Sequence, residues 1–269
     1  MKRLIVIDGH NFLWRAYSVP FKFYSQRKTP LHVVSTYLSL VRRALTSLES
    51  STQTDSVVIV FDTNTSNSNK ELSEDYKANR KRFAEDEDSP YAHLSYVRTV
   101  LEDLSIGFLE IPNIEADDII ASVSKGFCKR DSTNKAFIVS TDSDFYQLLD
   151  GQIFIVKLKA CQDHEIVDHH YVKNKLGVSP DQYVEFKSLV GDTADNIKGV
   201  AGVGPVTARK IIHNTIEFDM KPHTETMTLN RKLITLDCGC KKQWRFKDFA
   251  YNDDVMNISN KEIFKRCNF

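Results

Sequence analysis

Five short apolar runs punctuate the chain: Arg3 to Ile7, Ser56 to Phe61, Ile106 to Ile111, Lys135 to Ser140 and Ile153 to Leu158. Most are continuous rather than alternating, as in strands covered on both faces of a parallel sheet. Between them the apolar positions switch to helical spacing. Val33, Tyr37, Leu40, Val41 and Leu48 do so after Thr29-Pro30, and Ile119, Ile120, Val123 and Phe127 after Asp118. Strand and helix in alternation predict an α/β fold with a mainly parallel sheet.

Two stretches break the alternation. From Thr63 to Pro90 the chain is polar, dense in both charge signs and almost without an apolar face; loops this long are functional or disordered. Past Ser179-Pro180, where proline suits the first turn of a helix, the residues read mostly as helices, and only Lys232 to Leu236 has some strand character. The expected organisation is an α/β unit over residues 1–180 and a helical region over 181–269, with no internal repeat.

Composition narrows the class. Of 269 residues, 41% are apolar and 27% charged, which suits a folded protein with a real core and excludes a fibrous or disordered chain. No apolar run approaches the ~18 residues of a membrane span, and Lys2-Arg3 are followed by too short an apolar segment for a secretory leader. A cytoplasmic protein without membrane contact is expected. The cysteines at 128, 161, 238, 240 and 267 are odd in number and scattered, as reduced thiols are, and neither Cys238-Gly239-Cys240 nor His169-His170 has partners at zinc-site spacing. The 36 Lys and Arg cancel 36 Asp and Glu, which argues against a protein that coats nucleic acid indiscriminately.

The acids are more informative than their total. Asp8 ends the first strand, Asp62 the second, and Asp142 and Asp144 follow the strand ending at Ser140. The carboxyl ends of parallel strands share one edge, where ligands bind, so these four converge. Glu115, Asp117 and Asp118 open a helix, where the dipole also favours carboxylates, and Asp192 and Asp195 share a side by their i,i+3 spacing. Any one of these taken singly is better read as a cap or turn acid. Together they are harder to explain that way, because two carboxylates about 4 Å apart repel by about 4 kcal/mol at an effective dielectric near 20. The strand-end motifs hold no Lys or Arg, and oxygen-only ligation is what Mg²⁺ and Mn²⁺ prefer. An all-carboxylate edge best serves two-metal phosphodiester hydrolysis.

Directly after Asp195 come Gly199, Gly202 and Gly204, then an amphipathic segment from Val206 to Ile212. The glycine order is wrong for a dinucleotide fingerprint and no strand precedes it. A helix-hairpin-helix over about 186–212 fits better, with glycines in the tight turn and free amides at the next helix start to hold a DNA phosphate. An ordinary interhelical turn is the bland alternative, and proximity to a metal-type Asp favours the DNA reading. From Asn196 to Ala250, ten Lys or Arg face five acids, an excess suited to phosphate contacts without sequence readout.

In order along the chain stand Val6-Ile7-Asp8-Gly9, Phe61-Asp62, Tyr76-Lys77-Ala78-Asn79-Arg80, Glu115-Ala116-Asp117-Asp118, Ser140-Thr141-Asp142-Ser143-Asp144, Gly191-Asp192-Thr193-Ala194-Asp195-Asn196-Ile197 and Gly199 to Gly204. On these motifs the chain resembles the 5' nuclease superfamily, most closely the flap endonuclease / 5'-3' exonucleases of tailed bacteriophages, related to the 5' nuclease domain of bacterial DNA polymerase I. The resemblance implies a PIN-like (resolvase-like) sheet flanked by helices, a helical arch over about 63–90, and a C-terminal helix-hairpin-helix (helix-3-turn-helix) region. It implies a monomer that cleaves DNA with free 5' ends, whether flap, nicked or branched duplex or an RNA-DNA hybrid, using two Mg²⁺ or Mn²⁺, with K⁺ at the glycine turn.

The same resemblance assigns Asp8, Asp62, Glu115 and Asp117 mainly to one metal and Asp142, Asp144, Asp192 and Asp195 mainly to the other, with Asp118 in support. Lys77 and Arg80 would place the scissile phosphate and Tyr76 would stack a base. Lys198, Gly199, Gly202, Gly204, Arg209 and Lys210 would meet DNA. Ser143 stands where relatives have Gly, and Val206 where they have Lys. A PIN-type ribonuclease, which would lack the Asp192 to Gly204 segment, and a catalytically silent DNA-binding paralogue are the alternatives. Without the nine edge acids, 27 acids remain against 36 bases, so neutrality reads as an acidic edge cancelled by a basic surface.

Overall fold

The computed structural model describes residues 2–25, 31–63, 73, 76–77, 89–159, 163–237, 244–252 and 254–269. The cysteines at 161, 238 and 240, Arg80 and most of the expected arch lie outside these residues.

The α/β expectation is borne out. Strands β1 (Arg3–Asp8), β2 (Asp55–Val60), β3 (Gly107–Leu109), β4 (Lys135–Val139) and β5 (Ile153–Leu158) are parallel. A sixth, β6 (His164–Val167), pairs antiparallel with β5, giving the order β3-β2-β1-β4-β5-β6. No sequence pattern marks β6, because it is a short, half-polar edge strand in which only Val167 is buried.

Alternate residues of each strand serve opposite faces, which is why the central runs are apolar throughout. Ile5, Ile7, Val57 and Ile59 point into a core with α1 (Gly9–Tyr17), α2 (Leu31–Ser47) and α3 (Leu94–Asp103). Leu4, Val6, Val58 and Val60 face α4 (Ala116–Cys128) and a 3-10 turn, Asp144–Leu148. At the amino edge, Arg3 and Asp55 are register partners joined by two hydrogen bonds of 2.9 and 2.6 Å. The carboxyl edge, on the opposite side, carries the acids.

After α5 (His169–Leu176) the chain forms α6 (Tyr183–Val190), a tight turn with the two-residue strands β7 (Gly191–Asp192) and β8 (Ile197–Lys198), then α7 (Pro205–Ile212) and α8 (Thr224–Ile234). The strand suspected at Lys232 to Leu236 is instead the end of α8 and the two residues after it; Leu233 and Ile234, in the last turn, are buried side by side and only mimic a strand run. Two glycines in the turn have distinct reasons. Gly202 has φ +77°, and a Cβ on Gly199 would lie 2.3 Å from the Val190 carbonyl oxygen.

Residues from Trp244 onward, read from sequence as part of the helical region, pack back on the sheet. Trp244, Phe246 and Phe249 join the α4 side, and Tyr251, Val255 and Ile263 the α2 side. Arg42 of α2 anchors this return by donating to the Val255 carbonyl, the Asn260 side chain and the Ile258 carbonyl at 2.6, 2.6 and 2.7 Å.

Gly199→Ala should cost about 1–3 kcal/mol through forced backbone displacement. Gly204→Ala, with open space around it and φ −90°, should change stability little; urea unfolding of the two variants checks the contrast.

Candidate metal centre and nucleic-acid interface

The acids reach the edge from several elements. Asp8 ends β1 and caps α1, accepting the Asn11 amide at 3.0 Å. Its other oxygen accepts the Ser140 hydroxyl at 2.8 Å, and that hydroxyl accepts the Asp142 amide at 3.1 Å, so Ser140 ties the ends of β1 and β4 together. Asp62, just past β2, accepts the Ala116 amide at 2.7 Å, while its own amide donates to His10 Nδ1 at 3.0 Å. Glu115 is the N-cap of α4, and Asp117 and Asp118 occupy the first turn.

Asp142 accepts the Asp144 amide at 2.9 Å. Asp192 and Asp195 sit in the tight turn after α6, so a turn rather than helical spacing puts them on one side. One carboxylate oxygen each from Asp144, Asp192 and Asp195 lies within 4.8 Å of the others.

This crowding disfavours ionisation. Burial, reinforced by Asp142 and Asp62, pushes Asp8 up to about 6. Burial and the charges of Asp142, Asp8 and Asp62 hold Asp117 well above the usual carboxylate range, despite Lys77. Asp144 is pushed up to about 6 by burial and by Asp142, against the pull of Lys187. Asp142 therefore acts on both groups of acids, whereas the resemblance assigns it mainly to one.

Among the described residues, two lysines enter the acidic edge. Lys77 Nζ donates to Glu115 Oε2 at 2.7 Å, and its amide to the Asp195 carbonyl at 2.9 Å. Lys187, on α6, donates to Asp192 and lies 3.2 Å from Asp144 Oδ1. Burial opposes the charge on Lys187, but Asp144, Tyr183 and Asp192 outweigh it and raise its pKa; burial likewise opposes Asp192, which Lys187 holds below its usual value. Lys187 and His10 carry no functional signal in the sequence, and Ser140 stands there only as a motif position without a role. Lys187 lies one helical turn after the buried Tyr183, a spacing that hints at an inward face without marking a lysine as an ion-pair partner.

Other assigned residues are placed differently. Tyr76 is not free to stack a base: the residue is 4% exposed and packs with Ile197, Leu233 and Ile234, because α8 lies over it. Asp118 accepts the Asp237 amide at 2.7 Å and so holds the segment after α8. Arg209 donates to the Leu176 carbonyl at 3.3 Å, joining α7 to the end of α5, while Lys198, Gly202, Gly204 and Lys210 are exposed. Gly204 caps α7 without a side-chain bond and Pro205 begins it, so the following amides lack helical partners. Val206, in that first turn, is 57% exposed.

The donor set is entirely oxygen, and buried Asp144 Oδ1 has no properly oriented hydrogen bond despite its nearness to Lys187. Such a site fits hard divalent cations. Acids gathered at the strand ends of a parallel sheet, beside two helices joined by a glycine turn, define an α/β protein with an acidic edge suited to divalent cations.

Residues 3–177 match the family model of the 5'-3' exonuclease N-terminal resolvase-like domain, and residues 178–256 that of the 5'-3' exonuclease C-terminal SAM fold. The chain belongs to the 5'-3' exonuclease family, as its motifs led us to expect. It is 30% identical to DNA polymerase I of Caldicellulosiruptor bescii over 98% of its own length, but spans only 33% of that protein. It is 26% identical to a 5'-3' exonuclease of Mycoplasmopsis pulmonis, covering 98% of this chain and 85% of that one. The fold is shared with the bacteriophage T5 flap endonuclease in a pseudo-enzyme-product complex with DNA and metal ions (TM-score 0.69, 19% identity, 100% of both chains). It is shared also with T5 5'-exonuclease bound to zinc (TM-score 0.68, 21% identity, 99% of this chain and 100% of that one).

The raised carboxyls set a pH dependence for the metal-free protein. Between pH ~4, the unfolded value, and pH about 6, native Asp144 keeps a proton that the unfolded chain releases, so its contribution to stability falls as pH rises through that window. In EDTA, Asp144→Asn should exceed wild type at pH 7 by on the order of 1–3 kcal/mol, with the difference vanishing near pH 4; urea unfolding across pH checks this.

Proposed function

We propose that the chain is a structure-selective flap endonuclease with 5'-3' exonuclease activity, cutting DNA near free 5' ends to leave 5'-phosphate and 3'-hydroxyl. The observation that carries this reading is the acidic edge itself: Asp144, Asp192 and Asp195 converge within 4.8 Å, and Asp8, Asp62 and Asp117 act on one another beside them. Asp8, Asp62, Glu115 and Asp117 would hold one Mg²⁺ and Asp144, Asp192 and Asp195 the other, with Asp142 between; Mn²⁺ would substitute. When bound, the ions supply an activated water and offset charge on the phosphoryl oxygens.

The chain's own groups prepare the rest. Ser140 and Asn11 orient Asp8, and the Ala116 amide orients Asp62. Lys77 and Lys187 are charged groups within reach of the edge, able to turn from carboxylate to phosphate when cations take their place. Arg80 would add a second charge near Lys77. The unpartnered amides at the start of α7, with Lys198 and Lys210, would hold duplex backbone without reading bases, and K⁺ at the turn carbonyls belongs to the same reading. DNA with a free 5' end, bound by a monomer in the cytoplasm, is the proposed setting, with an RNA-DNA hybrid as a second substrate.

Single-turnover digestion of a 5'-flap, a nicked duplex and an RNA-DNA hybrid with Mg²⁺ tests this. The flap should be cut, and Asp142→Asn should slow cleavage by at least ~10²-fold; an intact flap with wild type and variant indistinguishable overturns the reading. Single-stranded RNA cut in preference to the flap would instead support a PIN-type ribonuclease. Lys77→Ala should lower the single-turnover rate more than it weakens binding, since an interaction made chiefly in the transition state appears in the chemical step.

A further inference from the structure

Beside the acidic edge, on its β5 flank, four side chains form a cluster that the nuclease reading leaves without a task. Lys157, near the carboxyl end of β5, donates to the Tyr146 hydroxyl at 2.7 Å, and Lys175, on α5, donates to the Tyr171 hydroxyl at 3.0 Å. The ammoniums also lie over phenol rings, Lys157 4.8 Å from the centre of Tyr146 and Lys175 5.2 Å from that of Tyr171. The two rings meet edge-on at 6.3 Å.

Among the described residues, neither ammonium has a carboxylate at salt-bridge distance; Glu165, the acid nearest in charge, pairs with Lys159 at 3.5 Å. Burial and then the charge of Lys175 oppose ionisation of Lys157 and lower its pKa. Among the described residues the two cations thus meet phenols rather than a carboxylate in contact, and the Tyr171 hydroxyl, helped by the more distant Glu165, holds Lys175 above the usual ammonium range. Tyr146 is hydrogen-bonded to Tyr171, but Tyr171 still has its own proton to donate and each ammonium has protons beyond the one its phenol accepts, so the group can offer several donors to one anion.

Its position selects the anion. Tyr146 packs against Tyr183 at 5.5 Å, and Tyr183 lies beside Asp144 and Lys187. In the other direction, α5 ends at Leu176 and Gly177, whose carbonyls meet Arg209 and His213 of the segment after the glycine turn at 3.3 and 2.7 Å. The cluster thus bridges the two places where the proposed function puts DNA phosphates.

We propose that Lys157, Tyr171 and Lys175 form a subsite for a backbone phosphate of the DNA, between the glycine turn and the metal edge. It rests on the nuclease reading above, and it needs no base contact, so it is indifferent to sequence.

Binding of a fluorescent 5'-flap DNA to the full chain in EDTA, measured by anisotropy across KCl concentrations, tests it. Lys175→Ala should weaken binding severalfold at low salt and lower the slope of log K against log salt by ~0.9, so that raising KCl from ~50 to ~200 mM costs the variant ~3-fold less affinity than it costs wild type. Lys175→Arg should restore binding. Lys173→Ala, removing a charge that is likewise exposed two residues away on α5, should alter the slope little. An unchanged slope in Lys175→Ala, or equal losses in Lys175→Ala and Lys173→Ala, overturns the subsite while the flap is still bound and cut by wild type. A wild-type protein that neither binds the flap nor cuts it with Mg²⁺ overturns both readings together.

Discussion

Mutual repulsion among carboxylates on one sheet edge is the constraint around which this molecule is arranged. A parallel sheet brings its strand ends together whether or not their charges agree, and here the ends of β1, β2 and β4 all carry aspartate. The protein answers in two ways. Some acids are held where protonation is easy, as the raised pKa values of Asp8, Asp117 and Asp144 record. Others are met by lysines from elements outside the strands, Lys77 at Glu115 and Lys187 at Asp192. The resulting edge is stable enough to fold yet still favours an arriving cation, since each ion would replace a proton or a flexible ammonium with a fixed charge.

The same constraint explains which parts could be read in advance. Strand-end acids are legible because their place follows from the strand before them: an apolar run ending in Asp8 or Asp62 fixes the edge without any tertiary knowledge. The central strands are legible because burial on both faces leaves no polar alternation to confuse. β6 is not, since His164, Glu165 and exposed Ile166 obey the rules of an edge. Nor is the end of α8, where two adjacent buried residues look alike in a helix and a strand. Lys187 escapes for a deeper reason. A lysine in a helix is ordinarily solvated, and only the packing of α6 against the 3-10 turn reveals that this one faces acids. Tyr76 is the converse, a residue expected at a surface whose burial depends on α8, more than 150 positions further along the chain.

The glycine turn shows how a local signal can be right for mixed reasons. Gly199 and Gly202 are needed by the backbone itself, one for close approach and one for a positive φ. Gly204 is under neither demand, and its smallness leaves the start of α7 open. Val206 makes that opening more apolar than a lysine would, which shifts the burden of charge to Lys198, Lys210 and the neighbouring α5. Arg209 is partly committed to the Leu176 carbonyl. The basic character of this end of the molecule therefore comes from several elements rather than from one loop.

The return of the chain onto its own beginning has a consequence for synthesis. Arg42 bonds to Val255 and Asn260 across sequence separations of 213 and 218, and the α2 side of the core includes Tyr251, Val255 and Ile263. While the protein is still on the ribosome, the first strands and helices can associate but one flank of their core stays uncovered. Contacts so distant along the chain are made slowly, because a long loop must close before they contribute. The nascent chain thus has an interval in which its sheet is formed in outline and its apolar flank is exposed, the stage at which a chaperone would find most to hold.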